Sequence, residues 1–238
     1  MSLSEIITDS VKYPFTNITN FLIVGILTLL AGIFNVFTLW GITNGAIYYL
    51  GLIISFIFAL FLSGYSLNII RNAMVKSDDF PMLDPVNNII DGIKVLIVSI
   101  VYFIIPFVIT LVIAIVTGTI GAGLNNLFAG LGIASIVSVI LFVLFAIFEV
   151  VAVARLAQTG EFGDAVNFGE VFEDVKRIGI AKIIAFVIIA LIIIVVVQLI
   201  CSILVFIPIL GALIASIIGG AFGVLFYNRG IGLLYIAQ

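Results

Sequence analysis

The sequence predicts an all-α membrane protein, a polytopic bundle of six transmembrane helices. The first observation is composition: 64% of the 238 residues are hydrophobic, only 9% are charged, and the mean hydropathy is +1.47. A soluble domain carries about 25% charged residues, so too few polar side chains remain here to cover a water-facing surface. The other two observations are that the apolar residues form long runs and that the charges lie in a few stretches between them.

Six apolar runs are long enough to cross a bilayer as helices, which takes roughly 20 residues. They cover about residues 18–40, 46–70, 95–117, 133–154, 180–205 and 210–235. The strands of a β-barrel would instead alternate polar and apolar residues over about ten positions. Because these runs are continuous and longer, they predict helices, all within a single membrane domain of residues 1–238.

The basic residues predict the orientation of the bundle. All nine lie in or beside the segment before the first run, the second-to-third and fourth-to-fifth connections, or the end of the last run. The other connections, 41–45, 118–132 and 206–211, carry no charge. Lysine and arginine mark the cytoplasmic side of a membrane protein. The pattern therefore predicts a multi-pass protein of the plasma membrane with both termini in the cytoplasm.

Three acidic–basic pairs recur at a spacing of 82 residues and indicate an internal repeat. The pairs are Asp9 with Lys12, Asp91 with Lys94, and Glu173 with Lys176. Each pair precedes an apolar run, which predicts repeats of about 1–79, 80–161 and 162–238. Since the copies have the same orientation, the repeat is parallel and differs from the inverted repeats of many transporters.

Apolar residues recur at helical spacing around each of these pairs, while polar residues fill much of the opposite faces. This pattern is typical of amphipathic helices that lie in the headgroup plane. We therefore expect an interfacial helix on the cytoplasmic side before each hairpin. The charge pairs themselves are interpreted first as exposed helix-side pairs, which contribute about 0–1 kcal/mol. The alternative is that they bind a lipid headgroup or a partner.

Two sets of short motifs carry a resemblance to a known family. The first set is Gly64-Tyr65 with Arg71, Phe80-Pro81, Asp91-Gly92-x-Lys94, Tyr102 and Pro106. The second set is Ala154-Arg155, Thr159-Gly160 and Phe168-Gly169-Glu170-Val171. From about Gly64 to its end, the chain resembles the domain-of-unknown-function 4013 membrane family. The resemblance implies a prokaryotic, mainly archaeal, cell-membrane protein, and it brings no established activity or catalytic residues.

Composition excludes several kinds of chemistry. The net charge of -3 without a basic stripe argues against nucleic acid as a partner. The chain has no histidine, which removes histidine acid–base catalysis, Ser-His and Cys-His nucleophiles and most zinc sites. The single cysteine, Cys201, cannot form an intrachain disulfide. We therefore predict no catalytic residue, metal or cofactor.

Glu149 is the strongest single candidate for a functional residue. An ionised carboxylate inside a spanning helix is costly, so it should pair, protonate or line a wet cavity. Arg229 lies at a similar depth in another predicted helix and is a candidate partner. The pair could be structural or functional.

Other features have simpler interpretations. Pro106 and Pro208 could break their helices, and the glycine-rich segment 118–132 could be re-entrant or a surface loop. The last run places small residues four positions apart on two adjacent faces, which favours close helix packing within the bundle or across a dimer. They are Ala212, Ser216 and Gly220 on one face, and Ala215, Gly219 and Gly223 on the other.

Three function classes are compatible with these observations. The first is a non-enzymatic membrane-organising protein that binds lipids or a partner through its cytoplasmic segments, with a homo-oligomer or a cytoplasmic protein partner left open. The second is a permease or channel for a small solute, for which a polar path is needed. Its candidate residues are Glu149, Arg229, Asn125 and Gln198. The third is an intramembrane lipid-modifying enzyme, for which only Asp78, Asp79 and Asp84 offer clustered carboxylates.

Overall fold

The computed structural model describes residues 1–116, 133–207 and 210–237, and in these ranges all regular secondary structure is helical. The helices are α1 (Leu3–Lys12), α2 (Ile18–Ala31), α3 (Ile33–Leu39), α4 (Gly45–Met74), α5 (Pro85–Val116), α6 (Ile133–Thr159), α7 (Phe162–Val166), α8 (Phe168–Ile178), α9 (Ile180–Ser202) and α10 (Leu210–Ile236). Short 3-10 turns follow α1 and α9. The predicted all-α bundle is confirmed.

Five of these helices are long and apolar enough to cross a membrane by themselves: α4, α5, α6, α9 and α10. A sixth crossing is counted if α1, its 3-10 turn and α2 are taken as one span, although the two parts meet at 89°. Large apolar side chains are exposed on the outside of the bundle, for example Phe107 on α5 (59%) and Leu191 on α9 (60%). Five to six apolar helices with this exposed surface are consistent with a multi-pass membrane protein.

The first predicted span, 18–40, is divided into two helices. Gly32 ends α2 with a bent backbone (φ -108°, ψ 12°), and α3 begins at the next residue. α2 has 14 residues and would be about 21 Å long at 1.5 Å per residue, which is shorter than the roughly 30 Å hydrocarbon core. Glycine costs about 1 kcal/mol in a helix interior, and this residue interrupts an otherwise apolar run.

The second predicted interfacial helix is not a separate element. Its residues form the first turns of α5, which continues through the membrane run for 32 residues. α1 and α8 do form separate helices, because Pro14 and a 3-10 turn follow α1 and Gly179, with φ +93°, ends α8. No comparable break follows Lys94, so the helix continues. Pro106 also fails to end α5, which runs on to Val116.

Three long helices contact one another and form the inside of the bundle: α4, α6 and α10. The remaining long helices pack around them, with α2 against α10 and α4, α5 against α4 and α6, and α9 mainly against α10. The buried core follows this arrangement and includes Tyr65 and Leu67 on α4, Ala152 on α6, and Leu225 and Phe226 on α10.

Small residues allow the closest helix contacts, as the sequence predicts for the last helix. A Cβ at Gly219 would lie 2.7 Å from Oε1 of Gln198 on α9. On the adjacent face, Thr28 of α2 donates a hydrogen bond to the carbonyl oxygen of Ser216, at 3.4 Å. These contacts place Gly219 against α9 and Ser216 against α2, whereas a Cβ at Gly223 would meet nothing within 4 Å. Pro208, Asn125 and segment 118–132 lie outside the described residues.

Candidate functional site

The charged segments of the chain meet at one end of the bundle. Nζ of Lys182 donates to the carbonyl oxygens of both Met1 (3.3 Å) and Ala237 (3.1 Å), so the two ends of the chain lie together. Nζ of Lys94 donates to Gly160 O at 3.2 Å, which joins the start of α5 to the segment after α6. We call this end the polar belt; it comprises α1, the last turns of α4, residues 75–84, the first turns of α5, residues 155–178 and the last turns of α10.

Arg229 is the most deeply buried charge in the polar belt, with 1% of its surface exposed. Its Nε donates to Asp9 Oδ1 and its Nη2 to Asp78 Oδ1, both at 2.7 Å. Nη1 donates to the carbonyl oxygen of Ser77, and the guanidinium lies 4.8 Å from the Tyr13 ring centroid. Every side of the guanidinium is therefore occupied, and α10 is tied to both α1 and the segment before α5.

Two other arginines make comparable contacts. Nη1 of Arg71, on α4, lies 2.6 Å from Asp91 Oδ2 on α5, and its Nε donates to Ala157 O on α6 at 3.3 Å. Nη1 of Arg155, on α6, lies 2.8 Å from Asp174 Oδ2 on α8, and Nη2 pairs with Glu170. In each case an arginine near the end of one long helix holds an aspartate on a neighbouring segment.

The three acidic–basic pairs identified in the sequence make different contacts in the structure. Lys94 lies 3.6 Å from Asp91, and Lys176 lies 3.0 Å from Glu173, so two pairs form contacts within their helices. Asp9 instead contacts Arg229, which the spacing between Asp9 and Lys12 did not predict. The Glu173–Lys176 pair is exposed (70% and 56%), as the simpler interpretation requires.

Sequence reasoning did not find the partners Arg71, Arg155 and Asp174. A signal was present in the second apolar run of each predicted hairpin. Arg71 and Arg155 directly follow their runs, and Arg229 lies near the end of its run. This position could have been compared across the predicted repeat in the same way as the acidic–basic pairs. Asp174 was missed because the regular spacing of 82 residues aligns Glu173, and not the buried Asp174, with Asp91.

A pocket of about 620 Å³, here called the belt pocket, lies between the ends of α4 and α5. Its lining residues are Asn68, Arg71, Asn72, Phe80, Pro81, Met82, Asp84, Asn87, Ile90, Asp91 and Lys94. The Asp91 carboxylate, 12% exposed, is shared by the two cations Arg71 and Lys94. Asn68 accepts from Arg71 (2.6 Å) and donates to Asn88 (2.9 Å), so the floor of the pocket is an ordered polar network.

Asp84 at the edge of the belt pocket caps α5. Its carboxylate accepts from the backbone N–H groups of Val86 (3.2 Å) and Asn87 (3.1 Å) and from the Asn87 side chain (2.6 Å). The Asn87 hydrogen bonds lower the pKa of Asp84 below its usual value. Asp78 pairs with Arg229 and Asp79 accepts from Ser77 Oγ. The three loop carboxylates therefore each have a structural partner, and the arrangement gives no support to a catalytic carboxylate cluster.

Glu149 and Arg229 have separate partners. Glu149 Oε1 accepts a hydrogen bond from Ser99 Oγ on α5 at 2.7 Å, while Arg229 is committed to the polar belt. Glu149 precedes Arg155 by six residues, which is about 9 Å along an α-helix. The carboxylate therefore lies deeper in the bundle than the belt, and the two residues of the predicted pair do not form a common site.

A cavity of about 210 Å³, here called the inner cavity, reaches Glu149. It lies between the three inner helices, and α5 contributes one residue. Its lining residues are Ser63, Ser66, Leu67, Val95, Glu149, Val150, Val153, Tyr227, Asn228 and Ile231. The side-chain amide of Asn228 donates to Val224 O at 2.8 Å, which leaves its oxygen as an acceptor. The cavity thus combines one carboxylate with neutral oxygen-bearing side chains.

Within the described ranges, no group of three or more histidine, cysteine, aspartate or glutamate residues is placed to hold a metal ion. No curated protein and no solved structure matches the chain. A family model, described as a protein of unknown function (DUF4013), matches residues 47–206, which is more than half of the sequence. The matched region contains the belt pocket and Glu149. The chain therefore belongs to the DUF4013 family, whose function is unknown, in agreement with the resemblance of its motifs.

Proposed function

We propose that the chain is built from three parallel copies of one unit that together close a ring at the polar belt. The observation that supports this is the set of three arginine–aspartate contacts. Arg71 of the first unit holds Asp91 of the second, and Arg155 of the second holds Asp174 of the third. Arg229 of the third returns to Asp9 of the first.

The spacing of the three aspartates supports the same proposal. Asp91 follows Asp9 by 82 residues, and Asp174 follows Asp91 by 83. The inner helices α4, α6 and α10 would then be equivalent, each ending in the arginine that holds the next unit. A linear array would leave its first aspartate and last arginine unpaired, but here those two residues contact each other. The repeat would therefore serve to hold a closed, polar surface at the cytoplasmic face of the membrane.

We infer that this surface has a non-enzymatic role, namely binding the phosphate-bearing headgroup of an anionic lipid in the belt pocket. The pocket's volume of about 620 Å³ falls within the roughly 300–1,000 Å³ typical of small-molecule sites. At its floor, two cations share the single carboxylate of Asp91, so cationic groups outnumber carboxylates at that point. The second carboxylate of the lining, Asp84, lies at the edge of the pocket and makes the lining neutral as a whole. Among the described residues, Nη2 of Arg71 has no hydrogen-bond partner, and the side chain is 31% exposed.

The remaining lining fits the rest of a headgroup. Amide side chains such as Asn72 and Asn87 can donate to and accept from hydroxyl groups. The charge of Asp84 is held at the start of α5, where the helix dipole favours a carboxylate. Exposed apolar side chains line the pocket, including Met82 (87%) and Ile90 (48%). They would insert among acyl chains while the polar floor holds the headgroup.

Replacing Lys94 with glutamine is expected to weaken binding of phosphatidylglycerol about tenfold, because one charge-assisted contact to the phosphate is lost. The purified full-length chain would be held in phosphatidylcholine nanodiscs containing increasing fractions of phosphatidylglycerol. The increase in melting temperature over phosphatidylcholine alone would give the apparent affinity. Comparing each variant with its own value in phosphatidylcholine removes any effect of the lost Asp91 and Gly160 contacts.

Lys176→Gln is the matched control. Lys176 also pairs with an acidic residue three positions earlier, but it lies on α8, outside the belt pocket. We expect this variant to respond to phosphatidylglycerol as the wild type does. Equal weakening by both changes would indicate general surface charge and would overturn the assignment to the pocket.

A permease for a small solute is the second candidate function. The inner cavity favours it, because it brings Glu149 and several hydroxyl and amide groups together among the three inner helices. Lipid binding is preferred because the belt pocket is larger and carries a guanidinium nitrogen that has no partner within the described ranges. The experiment on Glu149 described below bears on this second candidate independently of the belt pocket.

A further inference from the structure

We propose that the inner cavity binds a small monovalent inorganic cation at Glu149. This site is separate from the belt pocket and goes beyond the lipid-binding function. The first step is the charge of Glu149. Glu149 is only partly exposed, and a carboxylate within an apolar spanning helix needs a compensating charge or a proton, since an unpaired ion in the membrane interior is disfavoured.

The protein supplies no compensating charge within the described residues. The contact that the structure gives Glu149 is the hydroxyl of Ser99, which is a neutral donor. Arg229 is committed to Asp9, Asp78 and Ser77, and Arg155 to Asp174 and Glu170. Both arginines belong to the polar belt, beyond the cavity. When Glu149 is ionised, the positive charge that balances it therefore comes from outside the chain.

The cavity fits a cation with oxygen ligands. Besides the carboxylate, hydroxyl oxygens of Ser63, Ser66 and Tyr227 and the amide oxygen of Asn228 line it. Ser63 donates its proton to Ala59 O (2.8 Å), and the Asn228 amide nitrogen donates to Val224 O (2.8 Å). These two hydrogen bonds leave the oxygens of Ser63 and Asn228 free to face a cation. Oxygen ligands suit hard cations and not soft ones.

Charge balance selects a monovalent ion. With one carboxylate in the cavity, a singly charged cation gives a neutral site, whereas a divalent cation leaves an excess charge in a low-dielectric region. Divalent sites in proteins usually draw on several carboxylates, and the described residues place no second one in the cavity. A volume of about 210 Å³ leaves room for the ion with a few waters, each occupying about 30 Å³.

The proposal is tested by cation-dependent thermal stability. The full-length chain in detergent is melted in NaCl, KCl or NH₄Cl, replaced stepwise by N-methyl-D-glucamine chloride at constant ionic strength. The N-methyl-D-glucamine cation is much larger than the three inorganic cations and serves as the reference. We expect at least one small cation to raise the melting temperature in a saturable way. Glu149→Gln keeps the shape of the side chain and should raise the apparent dissociation constant about tenfold or more. Ser66→Ala should weaken binding while leaving the carboxylate in place.

The exposed Glu173→Gln is the control, because it removes the same charge from the polar belt instead of the cavity. It should respond to cations as the wild type does. The proposal is overturned if all the salts give the same melting temperature, which would mean that Glu149 simply carries a proton. It is also overturned if Glu149→Gln retains the full cation response. Neither result would affect the response to phosphatidylglycerol, so the two proposals fail separately.

Discussion

Gly92→Ala, together with Gly64→Ala, is expected to give the largest loss of stability of any methyl group added at a glycine that the structure describes. A Cβ at Gly92 would overlap the carbonyl oxygen of Leu60, and a Cβ at Gly64 would overlap that of Asn88. α4 and α5 therefore cross with their backbones in direct contact. Because the obstacle is backbone, no rotamer change relieves it, and the helices must separate. We expect a cost of about 3 kcal/mol or more, at the upper end of overpacking effects.

The measurement is the free energy of unfolding in mixed micelles, compared with Gly223→Ala. Gly223 is also inside a long helix, but a Cβ there would meet nothing within 4 Å. Alanine should be neutral or slightly stabilising at that position, because glycine is the poorer helix former by about 1 kcal/mol. The double variant of Gly64 and Gly92 should lose less than the sum of the two, since one separation relieves both overlaps. A stable Gly92→Ala protein would mean that the α4–α5 crossing is wider than described.

Arg229→Ala is expected to have the second large effect, a loss of about 3 kcal/mol or more. Its guanidinium is buried, and removing it leaves Asp9 without its partner and frees the carbonyl of Ser77. Breaking a buried ion pair by removing one partner typically costs about 3–5 kcal/mol. The lower end applies here, because Asp9 (36%) and Asp78 (74%) are partly or largely exposed and can be solvated.

The partners of Arg229 allow a graded comparison. Asp78→Asn should cost at most about 1 kcal/mol, because its side chain is mostly in solvent. Asp9→Asn should lie between Asp78→Asn and Arg229→Ala in the same unfolding measurement. Arg229→Lys should rescue only part of the loss, since one ammonium cannot reach three acceptors on two segments as a guanidinium does. Equal effects of Asp78→Asn and Arg229→Ala would contradict the burial that this ranking depends on.

Composition and run length were sufficient to predict the helical membrane bundle. Apolar runs of the right length left no other way to satisfy the backbone in lipid. The helix ends were less predictable. α5 begins ten residues before its predicted span because nothing after Lys94 breaks the helix. The span predicted for 18–40 is interrupted at Gly32. A single glycine in an apolar run is only a weak signal for the end of a helix.

The candidate site was only partly predictable because its contacts join distant parts of the chain. Glu149 was recognised as a costly charge in an apolar run and Arg229 as its candidate partner, but hydropathy alone could not show which groups pair. Arg229 reaches Asp9, 220 residues away, and that contact depends on how the last helix packs beside the first. The belt pocket was not predicted. Amide side chains such as Asn68 do not indicate a binding site in the sequence, and the pocket forms only where α4 and α5 pack together.

Side-specific labelling of single cysteines tests most directly whether the charged segments lie on one face of the membrane. In a Cys201→Ser background, cysteines would replace Lys76, Glu161 and Glu173 in the polar belt and Thr43 in the uncharged turn between α3 and α4. With a membrane-impermeant thiol reagent, we expect the three belt positions to react only in inside-out vesicles and Thr43 only in intact cells. Reaction of any belt position from the same side as Thr43 would contradict the one-sided belt and the ring of three arginine–aspartate pairs built on it.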